Sequence, residues 1–355
     1  GAIASRYHPE ITAVTMTVPG SSRDEYKFAK QIADKHKLAL KTVELDENCV
    51  GELPFLLEEI EPLADSSLLP LSFVSSKATN YIKVALTGDG GDEIFGGYGM
   101  PLRFLMKGKK HNRVVEPLFK FLIQNRNLNS FTKRLKPISL SQKSFDTFGL
   151  DLFFELQDSA THSMLNVCMQ HPPEKGYIKN IFQIDHVSNQ SRYKDDIGAI
   201  LFSGIKRRLS GEFLQKVDSG TMYNSLESRS PFLSHTLIDY VSTLPNHIVF
   251  NNTTDKYLIK KLAARYNPKE IVYAQKKGFS IPTEGYFRKA WAKLLKEFLD
   301  EGISQDAGIL KQQAVKKLLS QHRQHKSLRL SNPLYAILVI EIWLRVAHFK
   351  THKPE

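Results

Sequence analysis

Leu86-Thr87-Gly88-Asp89-Gly90-Gly91-Asp92-Glu93-Ile94-Phe95-Gly96-Gly97-Tyr98 is the stretch on which the reading of this chain turns. Five glycines and three carboxylates fall between Thr87 and Gly97, directly after the run Lys83-Val84-Ala85-Leu86. That run reads as a β-strand ending in a glycine-rich turn. In parallel α/β sheets, ligands gather at the carboxyl ends of the strands, so a site is expected here. Glycine lets the backbone come close to a phosphate and present its N–H groups. Asp89 and Asp92, three residues apart, suit a Mg²⁺ that bridges phosphate oxygens. A plain Gly-Asp turn, needing only positive φ angles, explains one such pair but not the whole density.

Outward from that turn, strand and helix signals alternate. Residues 11–18 (ITAVTMTV) are β-branched and apolar, end at Pro19-Gly20, and read as a buried strand. Ser21 and Ser22 offer an N-cap, with Asp24 and Glu25 in the first turn, and Tyr26, Ala29, Ile32 and Ala33 recur at helical spacing. Residues 39–45 (ALKTVEL) form a second strand candidate, followed by a helix around 53–60, a turn at Ala64-Asp65-Ser66-Ser67 and another short helix. Residues 83–87 are the third strand. The alternation implies βαβ units and one open parallel sheet with helices on both faces. After residue 100 the chain reads as almost wholly helical, closing on the apolar PLYAILVIEIWLRVAH of 333–348, a buried helix. Its opening, Gly1-Ala2-Ile3-Ala4-Ser5-Arg6-Tyr7, reads as the middle of a helix.

The 355 residues carry 49 Lys and Arg against 37 Asp and Glu, a formal charge of +12. With 41% hydrophobic and 24% charged residues the composition is globular, which excludes a disordered tail or a collagen-like fibre. Two distant cysteines, Cys49 and Cys168, supply neither a disulfide framework nor a CxxC metal site. A reducing, cytoplasmic setting is therefore expected. The longest apolar stretch, Leu334 to Ile340, stops at Glu341, well short of the roughly 20 residues that cross a bilayer, so no membrane partner is expected. Residues 101–150 hold eleven Lys and Arg against two acids and so carry +9 of the +12. Such a block can meet nucleic acid or an acidic partner. A solvated face on a helical insertion is the simpler reading, and nucleic acid is not an expected partner.

Two further clusters stand out. Lys216-Val217-Asp218-Ser219-Gly220-Thr221-Met222 continues to Ser225-Leu226-Glu227-Ser228-Arg229-Ser230-Pro231-Phe232-Leu233, with charges alternating among apolar residues. Taken alone it fits a helix and a following loop held by an ion pair. Lys276-Lys277-Gly278-Phe279-Ser280 sets a lysine beside a glycine turn, where it can reach a phosphate as a point charge. A surface lysine fits those residues equally well.

Together and in this order, the segments resemble the synthetase domain of the asparagine synthase family. Thr87 to Tyr98 is similar to its signature S-G-[DE]-G-[GS]-D-E-[LIV]-F-G-G-Y, with Thr87 in place of Ser. Glu61-Pro62-Leu63-Ala64-Asp65-Ser66-Ser67 resembles its E-P-x-x-D-x-S turn. Lys216 to Leu233 resembles K-x-D-R-x-[ST]-M-x-x-S-[LV]-E-x-R-x-P-F-L-D, Ala274 to Phe279 resembles R-x-K-x-G-F, and Ile340-Glu341-Ile342-Trp343-Leu344 resembles L-E-x-W-L. Ser219, Ser234 and Ala274 depart from the pattern and remove three of its charges.

The resemblance implies an α/β fold with a parallel twisted sheet of the adenine-nucleotide α-hydrolase (ATP pyrophosphatase) type and a mainly helical C-terminal half. It divides the chain into a nucleotide-binding core over 1–100, a basic helical insertion over 101–190 and a helical part over 191–355. It implies ATP and Mg²⁺ as cofactors and aspartate as the carboxylate substrate. That carboxylate would attack ATP to give an acyl-adenylate and pyrophosphate, and ammonia would then displace AMP. Because the attacking group is already anionic, the chemistry asks for Mg²⁺ and cationic groups rather than a strong base. By the same resemblance Asp92 ligates Mg²⁺ and Asp89 serves acyl-adenylate formation. Thr87, Gly88, Gly90 and Gly91 line ATP, and Met16 touches the adenine. Lys276 stabilises the departing pyrophosphate, while Asp218, Glu227 and Arg229 shape the acceptor pocket. The family's S-G-G-x-D-S loop and its ammonia-supplying glutaminase domain precede the motifs present here, so this chain alone is expected to be inactive. A homodimer is compatible with the resemblance. A different acceptor (a cell-surface sugar, a β-amino acid or a tRNA base) and a non-catalytic nucleotide-binding remnant remain alternatives.

Overall fold

The computed structural model describes residues 1–21, 24–97, 165–173, 196–249, 251, 254–275, 281–300, 302–324 and 330–348. The basic block at 101–150 and the loop at 276–280 lie outside the described residues. The opening residues form one short 3-10 turn, Ala4–Arg6, rather than the middle of a helix.

β1 (Thr12–Thr17) and β2 (Ala39–Glu44) pair in parallel from Thr12↔Ala39 to Thr17↔Glu44. The crossover between them is α1 (Tyr26–His36). Asp24 braces its start, and Ser22 of the expected serine cap lies outside the described residues. Asp24 accepts the Tyr26 N–H at 2.9 Å and the Thr17 hydroxyl at 2.6 Å, tying the helix to the end of β1. Lys37 ends the helix in the left-handed region at φ +55°, its N–H returning to the carbonyls of Ala33 and Asp34. α2 (Leu53–Glu59), opened by Pro54, buries Leu53, Leu56 and Leu57, and α3 (Leu68–Ala78) follows.

The third strand, β3 (Val84–Leu86), departs from the expected sheet. It pairs in parallel with β4 (Glu227–Arg229) instead of joining β1 and β2, giving two separate two-stranded sheets among the described residues. The expectation of one sheet from three N-terminal strands is corrected accordingly. The physical reason is non-local: β4 lies about 140 residues downstream of β3 and is a three-residue strand too short to show periodicity. Parallel strands are usually covered on both faces. Here every residue of β1 is half-buried, so the expected buried strand is only partly covered, and Val84 and Leu86 of β3 are 43% and 58% exposed.

β3 leads into α4 (Gly91–Phe95). A long helical run then comprises α5 (Asp196–Gly204), a π-helical segment Ile205–Phe213 and α6 (Leu214–Met222). After β4 come α7 (His235–Thr243), α8 (Asn246–Val249), α9 (Tyr257–Ala263), α10 (Lys269–Val272), α11 (Thr283–Arg288), α12 (Ala292–Leu299), α13 (Ile303–Asp306), α14 (Gln312–Gln324) and α15 (Ser331–Trp343). α15 is the expected buried helix, and its apolar residues on every side are enclosed. The main core joins Val18 and Leu45 at the ends of β1 and β2, Leu53 and Leu57 of α2, Trp291, and Leu334, Ile337 and Leu338 of α15. A smaller core sets Ile94 and Phe95 of α4 against Val241, Val249 and Phe232. No described helix is long and apolar enough to cross a membrane.

Candidate active site

Two glycines tighten the turn after β3, one by its left-handed backbone and one by close approach. Gly90 caps α4 at φ +81°, and a Cβ there would lie 2.2 Å from Leu233 Cδ2. Gly97 donates its N–H to the Asp92 carbonyl at 2.7 Å, and a Cβ on it would fall 1.7 Å from Asp92 Oδ1. The chain thus folds back closely over the Asp92 carboxylate, which a side chain at residue 97 would have to displace.

β4 brings the second cluster to this turn. The ladder continues past the strands, with Thr87 donating to the Arg229 carbonyl at 2.9 Å and Glu227 donating to the Lys83 carbonyl at 3.0 Å. One residue on, the Ser230 hydroxyl donates to the Asp89 carbonyl. Phe232 packs edge-on against Phe95, ring centroids 5.8 Å apart, and Leu233 fills the space above Gly90. Two segments distant in sequence therefore build one wall.

Of the residues singled out from the sequence, Thr87, Gly88, Asp89, Gly90, Gly91 and Asp92 lie on this turn, with Asp89 and Asp92 half-buried and Gly90 and Gly91 buried. Glu227 and Arg229 stand beside it but bond to each other, Nε to Oε1 at 2.8 Å, with both side chains exposed. Asp218 is exposed on α6, and Met16 packs against the main core. Lys276 lies outside the described residues, so its place relative to Asp92 is not described.

Two features escaped the sequence reading. Lys256, at the start of α9 in the left-handed region at φ +53°, places Nζ 3.1 Å from Asp92 Oδ1, each side chain about a quarter exposed. Nothing in the spacing around Asp255-Lys256-Tyr257 signals that contact. The other is the junction of the two motif segments at Asp65 and Lys216, whose carboxylate and ammonium meet at 2.9 Å across 151 positions. Asp65 also accepts from the Ser67 N–H at 2.9 Å and the Ser67 hydroxyl at 2.7 Å. Burial works to raise the Asp65 pKa, but Lys216 and the two Ser67 bonds outweigh it and hold the carboxyl below its ordinary range. Gly220 permits this junction by letting α6 settle on Leu68 and Leu71 of α3, and Asn224 bonds Ser72.

A hard cation takes oxygen ligands, and Mg²⁺ is commonly held by one or two carboxylates together with substrate phosphates. No group of three or more His, Cys, Asp or Glu able to hold a metal occurs among the described residues. Among the described residues, Asp92, a half-buried carboxylate beside Lys256, suits a Mg²⁺ delivered on phosphates rather than one caged by protein.

The fold and this site define a mixed α/β protein with parallel strands, a mainly helical complement and an acidic glycine turn at a strand's carboxyl end. The chain belongs to the asparagine synthase family, whose model, described as "Asparagine synthase", matches residues 1–345. It is 27% identical over 361 residues to asparagine synthetase [glutamine-hydrolyzing] 1 of Bacillus subtilis, covering 99% of this chain and 55% of that protein. It is 28% identical over 352 residues to a putative asparagine synthetase [glutamine-hydrolyzing] of Mycobacterium bovis, covering 96% of this chain and 52% of that protein. It is also 23% identical over 306 residues to the amidase chyE of Penicillium rubens, covering 76% and 42%. The chain spans about half the length of the curated relatives it matches.

Proposed function

We propose that this chain carries the ATP-dependent amide-forming chemistry of an asparagine synthase-type ligase, with aspartate as substrate. The substrate carboxylate attacks the α-phosphorus of ATP, the bond to the bridging oxygen breaks, and pyrophosphate leaves. Ammonia then attacks the acyl carbon, and AMP departs with the former carboxylate oxygen to leave the amide. The observation that carries this reading is the turn from Thr87 to Gly97, whose carboxylate–lysine pair sits at the carboxyl end of a parallel strand.

In this reading the backbone of Gly88, Gly90 and Gly91, with Thr87, faces the phosphates, and Met16 faces the adenine. Asp92 holds Mg²⁺, which when bound neutralises charge on the triphosphate. Lys256 holds the Asp92 carboxylate in place beforehand and then serves as a further cation beside the phosphates. Asp89, fixed through its carbonyl by Ser230, assists acyl-adenylate formation. Lys276 stabilises the departing pyrophosphate, and Glu227, Arg229 and Asp218 shape the acceptor pocket. The names of the bacterial relatives support glutamine as the nitrogen source, through a glutaminase region outside these residues. Two buried free cysteines are compatible with a cytoplasmic setting.

The test is aspartate-dependent release of pyrophosphate from ATP, with ammonia supplied directly, in the native protein carrying these 355 residues. Asp92→Asn should abolish release, and an unchanged rate in that variant removes the metal-ligand role. The amidase relative favours one second reading, a different acceptor on the same adenylating site. Pyrophosphate release with another carboxylate but not with aspartate would select it.

A further inference from the structure

α11, α14 and α15 meet around charged groups that this reaction does not use. Glu284 of α11 accepts from Arg288 Nη2 at 2.6 Å and, through Oε2, from the Ser331 N–H at 3.2 Å. Arg288 also donates to the carbonyl of His322 on α14. Beside them is a cavity of about 210 Å³ with an apolar floor of Phe287, Leu295 and Leu319. Arg288, His322 and Arg323 line it as well, and Ala292 is exposed at its edge.

His322 is the telling residue. It is 2% exposed, stands edge-on to Phe287 with ring centroids 6.3 Å apart, and neither ring nitrogen has a hydrogen-bond partner. Its Nδ1 is 3.4 Å from Glu284 Oε1 without meeting hydrogen-bond geometry. Leaving buried polar atoms unbonded is costly, so a polar group arriving in the cavity recovers what the fold leaves unmade. Burial holds the His322 pKa below its ordinary value. Glu284 opposes that shift, while Arg288 and Arg323 add to it, so the ring is neutral with one donor and one acceptor nitrogen. Among the described residues, the guanidinium groups of Arg288 and Arg323 line the cavity, and Glu284 is the carboxylate beside them.

We propose that this cavity is a binding site for a small carboxylate with an apolar body. A hydrocarbon alone would leave His322 unbonded. A compact dianion would leave the apolar floor uncovered. The cavity is smaller than the roughly 300–1,000 Å³ of sites for drug-sized ligands, so the occupant is small. Its hydrocarbon lies on Phe287, Leu295 and Leu319, and its carboxylate takes charge-assisted bonds from the arginine side. Because the cavity is lined by α11, α12 and α14, occupancy stabilises the folded chain.

Benzoate is the probe, titrated by calorimetry into the native protein without ATP, so the result does not depend on the reaction proposed above. The expected result is saturable one-to-one binding with a Kd of about 1 mM or tighter and a rise in melting temperature. Benzyl alcohol, the neutral analogue, should bind about tenfold more weakly, a loss of one charge-assisted contact. Arg323→Gln, at an exposed position, and Ala292→Phe, which narrows the opening, should each weaken benzoate about tenfold with the melting curve of the free protein retained. Absence of saturable benzoate binding, or equal binding by the alcohol and by Arg323→Gln, overturns the proposal.

Discussion

A methyl group at residue 90 would have to displace Leu233 and hold an L-residue at φ +81°. Gly90→Ala is therefore expected to cost about 1–3 kcal/mol, combining left-handed strain with lost packing against Leu233. Urea unfolding measures it, and a variant as stable as the parent would show that Leu233 simply moves aside. Asp65 makes a prediction with a definite sign. A carboxyl whose pKa is depressed on folding stabilises the protein above its unfolded pKa, about 3.9, and that contribution fades as pH falls through the folded value. Asp65→Asn should thus cost about 1–3 kcal/mol near neutrality, less than a fully buried pair, because both partners keep some contact with water. The difference from the parent should shrink below about pH 4. A difference that stays constant into acid would mean that Lys216 contributes little.

At the scale of elements, α15 organises its neighbours through one carboxylate. Glu341 is 0% exposed and accepts from the Ser304 N–H at 3.2 Å and the Ser304 hydroxyl, anchoring the first turn of α13 from outside. Gly302 leaves room for this contact, since a Cβ on it would lie 2.1 Å from Glu341 Oε1. Burial raises the Glu341 pKa above its ordinary value, although the Ser304 bonds and Arg345 pull the other way. A carboxyl with a raised folded pKa binds its proton more tightly in the native state, so its contribution to stability falls as pH rises through the folded value. Glu341→Gln keeps the acceptor and removes the charge. It should be as stable as the parent or more so at neutral pH, with a flatter acid profile. Glu341→Ala leaves Ser304 unbonded and opens a cavity, at an expected cost of about 2–5 kcal/mol. Chemical unfolding of both variants across pH distinguishes them; if Gln is as damaging as Ala, the charge itself is needed.

For the whole molecule, the decisive fact is that the main core draws on both ends of the chain. Val18 and Leu45 share it with Leu334, Ile337 and Leu338, and Trp291 Nε1 reaches back to the Glu47 carbonyl at 2.7 Å. The α/β part and the C-terminal helices should therefore unfold together, Trp fluorescence and far-UV circular dichroism giving the same midpoint. A chain ending at Leu330 removes those α15 residues and should lose cooperative unfolding altogether. Two separated transitions in the parent would mean that the halves are independent.

The sequence by itself determined what is local or dense. β1, β2 and β3 follow from β-branched and apolar runs, α2 and α15 from apolar spacing, and the turn at Thr87 from glycines and acids whose concentration has no bland explanation. The ordered motifs likewise placed the chain in its family. Tertiary structure decided what depends on pairing across long separations. It set β3 against β4 and away from β1 and β2, brought Lys256 onto Asp92, and joined Asp65 to Lys216. It also turned Glu227 and Arg229 toward each other at the surface and left His322 unbonded beside a cavity. The reason is physical. Local preferences follow from dihedral sterics and a residue's own periodicity. Partner choice follows from burial and ion pairing that arise only when distant segments are packed together.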